Sequence, residues 1–238
     1  MRATPSPNIW RHPDRYEQLN LGADPEGLLL AALDELLGER APVAVALDVG
    51  CGTGFWLPRL ASRARRVHGV EPHPDLAERA RTRVRCARLE GQVVVHTALA
   101  QRLPLPDDCA DLVFSHWAYF FGPGCEPGLA EADRVLRTGG AQVVVDLDVE
   151  SDRGYARWFA ASGRAVRADR AAAFFAIRGF RTRRLPVVWQ FADRAELAEV
   201  LALEFPPRVA ARALAETVGS TVAVPTVLRW RRNGGAST

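Results

Sequence analysis

Short apolar runs alternate with amphipathic stretches over most of the chain, and this rhythm predicts its elements. Residues 43–50, VAVALDVG, are almost continuously apolar, as expected of a strand buried on both faces of a parallel sheet. Comparable runs at Val67–Val70, Val93–His96, Asp111–Ser115 and Ala141–Leu147 predict four further strands. Between them, helical spacing predicts helices from the glycine-rich turn to about Ala64, over Asp75–Leu89 and over Pro127–Leu136. Strands and helices alternating in this way predict an α/β fold with a doubly wound, mostly parallel sheet.

The ends of the chain follow other patterns. Residues 1–24 are polar and carry Pro5, Pro7 and Pro13, predicting an irregular arm with one short helix near Asp14–Asn20. Asp24 as N-cap and Pro25 at the first helical position predict a core helix running to about Gly38. After Val149 the alternation stops. Helical stretches at 154–178 lead to a strand over Thr182–Phe191 and a helix capped by Asp193 that runs through Phe205. Pro206 and Pro207 break it before a helix at 208–217 and a last strand at Val222–Arg231. The expected organisation is one domain over 1–238: arm 1–24, core 43–147, and a C-terminal part 150–238 with cap helices and the last two of seven strands.

Composition narrows the chemistry. All 31 basic residues are arginine and there is no lysine. That excludes lysine Schiff-base enzymes and nucleotide hydrolases that need a P-loop lysine. Arg79, Arg81, Arg83, Arg85 and Arg88 are spread around a predicted helix and flanked by Glu78 and Glu90, which describes a solvated surface rather than a phosphate-binding patch. No nucleic-acid partner is expected. Cys51, Cys86, Cys109 and Cys125 have neither metal-ligand nor disulfide-framework spacing, so no metal is expected. No apolar run approaches the ~18 residues of a membrane span, and MRATPSPNIW lacks a signal-peptide core. The expectation is a cytoplasmic protein without a membrane partner.

The most informative segment is Asp48-Val-Gly-Cys-Gly-Thr-Gly-Phe55, between a buried strand and a helix. A loop at the carboxyl end of the first strand is where open α/β sheets bind ligands. The glycines run Gly50-x-Gly52-x-Gly54, whereas the dinucleotide fingerprint is G-x-G-x-x-G and places a pyrophosphate at a helix N-terminus. A sulfonium cofactor carries instead a cation, an amino-acid tail and a ribose. The Gly50 carbonyl and Asp48 suit its ammonium, although Asp48 as a simple turn cap remains open. Glu71, at the end of the second strand, can accept hydrogen bonds from two vicinal ribose hydroxyls. An acid in this place also occurs in nicotinamide enzymes.

With these residues in view, VALDVGCGTGFWLPRLA and VHGVEP resemble motif I and the acidic loop of class I S-adenosylmethionine-dependent methyltransferases. RLPLPDDCADLVFSHW resembles the family's approach to and passage through the fourth strand, and LAEADRVLRTGGAQVVV its following helix, turn and fifth strand. NIWRHPDRYEQLN and WAYFFGPGCEP are similar to parts of uncharacterised members. The resemblance spans about residues 43–147 in the family's order. It implies a Rossmann-like fold, S-adenosyl-L-methionine as cofactor, and a site built from Asp48, Gly50, Cys51, Gly52, Gly54, Phe55, Glu71, Pro72, Leu99, Ala100, Gln101 and Ser115. An acid often found near the adenine is replaced here by Leu99 and Gln101 in Thr97-Ala-Leu-Ala-Gln101. That implies apolar contact and the Ala100 backbone as the adenine's support. The asparagine-proline-proline-aromatic motif of many amino-group and nucleobase methyltransferases is missing, the fourth strand running into Ser115-His116-Trp117.

Several single residues have two readings. His116 is either a general base, its ordinary pKa lying near neutrality, or a positioning or packing histidine. Trp117, Tyr119, Phe120 and Phe121 either wall a substrate pocket or pack beneath the cap. Trp10 and Tyr16 either form a lid over the cofactor or dock on the domain surface. Asp146 and Asp148 are either structural or face an amine. The function expected is direct methyl transfer to a small molecule or modified peptide; a nicotinamide-dependent oxidoreductase and a non-catalytic cofactor-binding partner protein are the alternatives. Oligomeric state is not legible.

Overall fold

The computed structural model describes residues 7–164 and 168–234. Residues 1–6, part of the predicted arm, and 165–167, inside the predicted helical stretch, lie outside the described residues. Five strands carry the alternation: β1 (Val43–Val49), β2 (Ala64–Val70), β3 (Val93–His96), β4 (Ala110–His116) and β5 (Leu136–Leu147). They are mutually parallel, and β6 (Arg181–Leu185) and β9 (Thr226–Arg232) extend them into a seven-stranded sheet of order β3-β2-β1-β4-β5-β9-β6. β9 runs antiparallel to both its neighbours. The α/β, doubly wound, mostly parallel sheet of seven strands is therefore as expected.

Two predicted strands are each divided. Thr182–Phe191 becomes β6 and β7 (Val188–Gln190), and Val222–Arg231 becomes β8 (Thr221–Ala223) and β9. Pro186 and Pro225 sit at the two breaks, where a residue without an N–H cannot continue a ladder. β7 and β8 leave the main sheet and pair with each other. Periodicity alone gives no sign of this second sheet: the first break parts a polar Arg-Thr-Arg-Arg-Leu from Val-Trp-Gln, and nothing in either pattern names its pairing partner.

Other boundaries move for local reasons. The arm forms two helices, α1 (Pro7–Arg11) and α2 (Pro13–Gly22), because Pro13 occupies the first turn of the second, where no N–H is needed. The core helix α3 (Leu28–Leu37) starts three residues later than expected, after Gly27 turns left-handed at φ 71°. Asp24 still caps it: the Leu28 and Leu29 N–H groups donate to its two carboxylate oxygens at 2.9 and 2.8 Å. α4 (Leu57–Ala61) is short, since the glycine loop continues in turns to Trp56. β2 begins at Ala64, where it pairs with Val43, and the Gln92 amide donates to the Ala61 and Ala64 carbonyls at 2.6 and 2.7 Å, fixing that join.

Helices α3, α4 and α5 (Pro74–Cys86) bury Leu33, Leu57, Leu60 and Ala80 against one face of the sheet. On the other face lie α6 (Glu126–Val135) and α8 (Ala168–Ala176), with Leu129, Val135, Phe174 and Phe175. A third cluster lies under a cap made by α7 (Gly154–Phe159), α9 (Arg194–Glu204), α10 (Pro207–Glu216) and the β7–β8 pair. It contains Tyr155, Trp158, Trp189 and Leu197, and Leu19 of the arm packs into it. Arm and cap thus meet above the carboxyl ends of β1 and β4. Among the described residues no helix is long and apolar enough to cross a membrane, and no group of three or more His, Cys, Asp and Glu could hold a metal ion.

Replacing Asp24 by Ala leaves two N–H groups at the start of α3 without their acceptors. The expected loss is about 1 kcal/mol of stability, read as a lower urea midpoint with an unchanged slope.

Candidate active site

A cleft opens at the carboxyl ends of β1, β2 and β4, the edge at which parallel α/β sheets bind ligands. Its space is about 1060 Å³ with the open mouth included. Asp48, Gly50, Cys51, Gly52 and Phe55 line it from the first loop, Glu71 and Pro72 from the second strand end, and Leu99, Ala100 and Gln101 from the loop after β3. His116, Trp117 and Tyr119 line it after β4, and Trp10 and Tyr16 from the arm. These predicted residues, drawn from distant parts of the chain, share one cavity.

Three predicted positions do not line it. Gly54 turns away with φ 81°, and a Cβ there would meet Ala80 and Leu57 at 3.0 Å, so its bareness serves the packing of α5 on the loop. Ser115 is buried, and its hydroxyl donates to the Ala118 carbonyl at 3.0 Å, tying down the loop after β4. Phe120 is buried in the core beneath α6 and α8; the half-exposed Phe121 faces the cleft instead. Asp146 and Asp148 are also not among the lining residues. Asp148 pairs with the Arg184 guanidinium at 3.0 Å.

The glycine loop is shaped by close approaches. Gly50 has φ 79°, and a Cβ on it would fall 2.3 Å from the Cβ of Ala118. A Cβ on Gly52 would meet Ile9 of the arm at 3.1 Å. The facing loop is itself strained: Trp117 and Tyr119 adopt left-handed φ values of 49° and 44°, unusual for bulky residues. The Trp117 N–H donates to Val145 of β5 at 2.9 Å, and the Tyr119 ring lies over Gly128, which has no room for a Cβ. These anchors hold two aromatic rings at the rim of the cleft.

The electrostatics are dominated by acids. Glu71 accepts the Gly52 and His73 N–H groups at 3.0 and 2.9 Å, which fastens the first loop and leaves a lone pair on each oxygen for a ligand. Burial raises its pKa, while those two backbone bonds oppose the rise. Asp48, 1% exposed, has one carboxylate oxygen with no hydrogen-bond partner. Burial, and then the neighbouring Glu71, push its pKa up to about 8. The same surroundings, burial first, push the Cys51 thiol well above its ordinary value. His116 lies between Trp56 and Trp117, ring centroids 5.1 and 6.1 Å away. Burial pushes its pKa down to about 3, so the ring is neutral at physiological pH. Among the described residues no arginine lines the cleft.

Sequence reasoning missed Ile9, Asn20, Thr53, Trp56, Val70, Leu76 and Ala118, which also line it. Trp56 stands out: it is 8% exposed and its indole N–H has no partner. Leaving such a donor unpaired costs about 1–3 kcal/mol. Its position directly after Phe55 was the available signal. The arm is fastened across the loop by Glu17, which accepts from the Thr53 hydroxyl at 2.8 Å and pairs with Arg83. Trp10 packs on His73 with ring centroids 4.8 Å apart.

Residues 47–144 match the family described as a methyltransferase domain. These residues, the core of the chain, are similar to a methyltransferase domain of class I. Methyltransferase GfsG of Streptomyces halstedii is 35% identical over 123 residues, 49% of this chain and 44% of its own length. Malonyl-[acyl-carrier protein] O-methyltransferase of Serratia marcescens is 33% identical over 119 residues, 46% of this chain and 44% of its own. The chain thus spans less than half the length of these curated relatives. The YcgJ protein of Bacillus subtilis has the same fold, with a TM-score of 0.61 at 15% identity over 86% of this chain and 98% of its own.

The cofactor of this domain class is S-adenosylmethionine, and the donor set fits it. Two buried carboxylates, one with an unpartnered oxygen, suit a cation and a ribose. The Gly50-x-Gly52-x-Gly54 spacing departs from the G-x-G-x-x-G turn that seats a dinucleotide's pyrophosphate at a helix N-terminus.

Ionised Asp48 is disfavoured by its burial, so its effect on stability follows from proton uptake. The unfolded carboxyl ionises near pH ~4, whereas the folded one holds its proton to about 8. The contribution of Asp48 to stability therefore declines as pH rises between those values. In the Asp48→Asn variant that decline should be absent, as checked by urea unfolding at about pH 5 and about pH 8. Parallel pH dependence in the two proteins would contradict the assignment.

Proposed function

We propose that the chain is an S-adenosylmethionine-dependent methyltransferase acting on a small molecule or modified peptide. The observation that carries this reading is the cleft itself: bare loop backbone at Gly50 and Gly52, the acids Asp48 and Glu71 on adjacent strand ends, and an arm laid across them. Asp48 and the Gly50 carbonyl would receive the ammonium of the methionine end, and Glu71 the two ribose hydroxyls. Pro72, Leu99, Ala100 and Gln101 would enclose the adenine, with Cys51 and Phe55 closing the loop side. When bound, the cofactor supplies a methyl group carried on a sulfonium.

The chain's own contribution is positioning. Trp10 and Tyr16 act as a lid that excludes water, held by the Glu17–Thr53–Arg83 contacts. Burial and the neighbouring Glu204 and Asp146 raise the Tyr16 phenol well above its ordinary pKa, keeping it neutral. His116, neutral and held between two indoles, orients the acceptor by shape and hydrogen bonding. A ring whose pKa is about 3 is too weak a base to take the proton from an ammonium group. Aligning acceptor and methyl group in a dry cleft is itself a large source of rate. A cytoplasmic location is in keeping with the four free cysteines.

Thermal unfolding with S-adenosylhomocysteine and, separately, NAD tests the proposal, because a ligand of the native state raises the midpoint. A rise with S-adenosylhomocysteine alone is expected. Trp10→Ala should weaken that binding by about tenfold, ~1.4 kcal/mol, and Glu71→Ala should abolish the rise. Stabilisation by NAD alone would overturn the reading, as would failure to transfer a labelled methyl group across a panel of phenols, amines and peptides despite tight cofactor binding.

A further inference from the structure

The half of the cleft away from Glu71 has a chemistry of its own. Trp56, Trp117, Tyr119 and Phe121 give it aromatic walls, and His116 stands among them. Its polar atoms are sparse. The Trp56 N–H and the Tyr119 hydroxyl are shielded and unpartnered, and an indole can only donate. The His116 ring makes no hydrogen bond to a described residue, and because it is neutral one of its nitrogens accepts. A ligand that completes Trp56 and His116 must both accept from an N–H and donate to a ring nitrogen.

We propose that this half of the cleft receives a flat, uncharged molecule bearing a hydroxyl group, whose oxygen accepts from Trp56 Nε1 and whose O–H donates to His116. The proposal rests on the methyltransferase reading and assigns the class of acceptor. A hydroxyl oxygen has two lone pairs, so accepting from Trp56 leaves one free to react. A protonated amine has no lone pair to offer the indole. Glu71 and, beside Tyr16, Glu204 and Asp146 favour the protonated form of any amine that enters, whereas Asp48 keeps its own proton until a cation pairs with it. A carboxylate or phosphate would lie among those acids with no arginine lining the described cleft to balance it. The aromatic rims at Trp117 and Tyr119 are held in left-handed backbone, where they offer flat faces to a ring.

The test uses the full chain and three probes that differ in one substituent: naphthol, naphthoate and naphthylmethylamine. Each is titrated with and without saturating S-adenosylhomocysteine, while the indole N–H signals are followed by nitrogen–proton NMR. The Trp56 signal is identified by its loss in Trp56→Phe. The expected result is that naphthol binds at least about tenfold more tightly than the other two and moves the Trp56 signal downfield. Trp56→Phe should remove most of that preference and leave S-adenosylhomocysteine affinity unchanged. The proposal is overturned if naphthoate or the amine binds as well as naphthol, if naphthol does not bind, or if its binding leaves the Trp56 signal in place. It is equally overturned if S-adenosylhomocysteine alone moves that signal, since the indole then faces the cofactor. Absence of S-adenosylhomocysteine binding would instead defeat the methyltransferase reading, which the probe titrations without it keep separate. Because the signal shift is read on the native chain, it stands even if Trp56→Phe does not fold.

Discussion

Asp48 and Glu71 stand at the carboxyl ends of neighbouring parallel strands, buried and close enough that Glu71 opposes ionisation of Asp48. Burying two carboxyl groups side by side is costly unless each is paired or neutralised. Glu71 is relieved by two backbone N–H groups and so clamps the loop that begins at Gly50. Asp48 has no such relief for its second oxygen. The arrangement is therefore incomplete in one direction only: it has room for a positive charge and for hydroxyl donors. The bareness of Gly50, the press of Ala118 against it and the arm over Gly52 all follow from keeping that space open and covered.

The surrounding fold serves this edge. Five parallel strands bring the loops after β1, β2, β3 and β4 to one rim, and the arm and cap close over it from two chain ends. The loop after β4 carries backbone strain at Trp117 and Tyr119, tolerated because Ser115, Val145 and Gly128 fix it from three sides. Strain concentrated at a site that presents two aromatic faces is the pattern seen where geometry is held for a ligand. The acceptor side differs from the cofactor side in kind. One is backbone and carboxylate, the other indole and neutral imidazole.

Most of the central sheet was legible in the sequence because strands buried on both faces are continuous apolar runs, and the glycine loop announces where they end. The division at Pro186 and Pro225 was not, since a missing N–H marks where a ladder stops but not which strand the chain pairs with next. In the arm the helix near Asp14–Asn20 was legible, but the short helix Pro7–Arg11 before it was not, since five residues carry too little periodicity to show one. Within the aromatic run after His116, composition could not say which ring turns inward. Phe120 went to the core and Phe121 to the cleft because left-handed residues reverse the simple alternation. Trp56 escaped notice for a related reason: an aromatic beside a helix start reads as packing, and only its unpartnered N–H gives it a second role.

The central claim is that Asp48 waits, protonated, for a cation. Calorimetry of S-adenosylhomocysteine binding near neutral pH, repeated in buffers of different ionisation enthalpy, measures the protons exchanged. With the Asp48 pKa at about 8 before binding and lowered by the incoming ammonium, the wild-type chain should release most of one proton per ligand, and Asp48→Asn should release none. Binding with no proton released by the wild type, or with the same release from both proteins, would contradict the account.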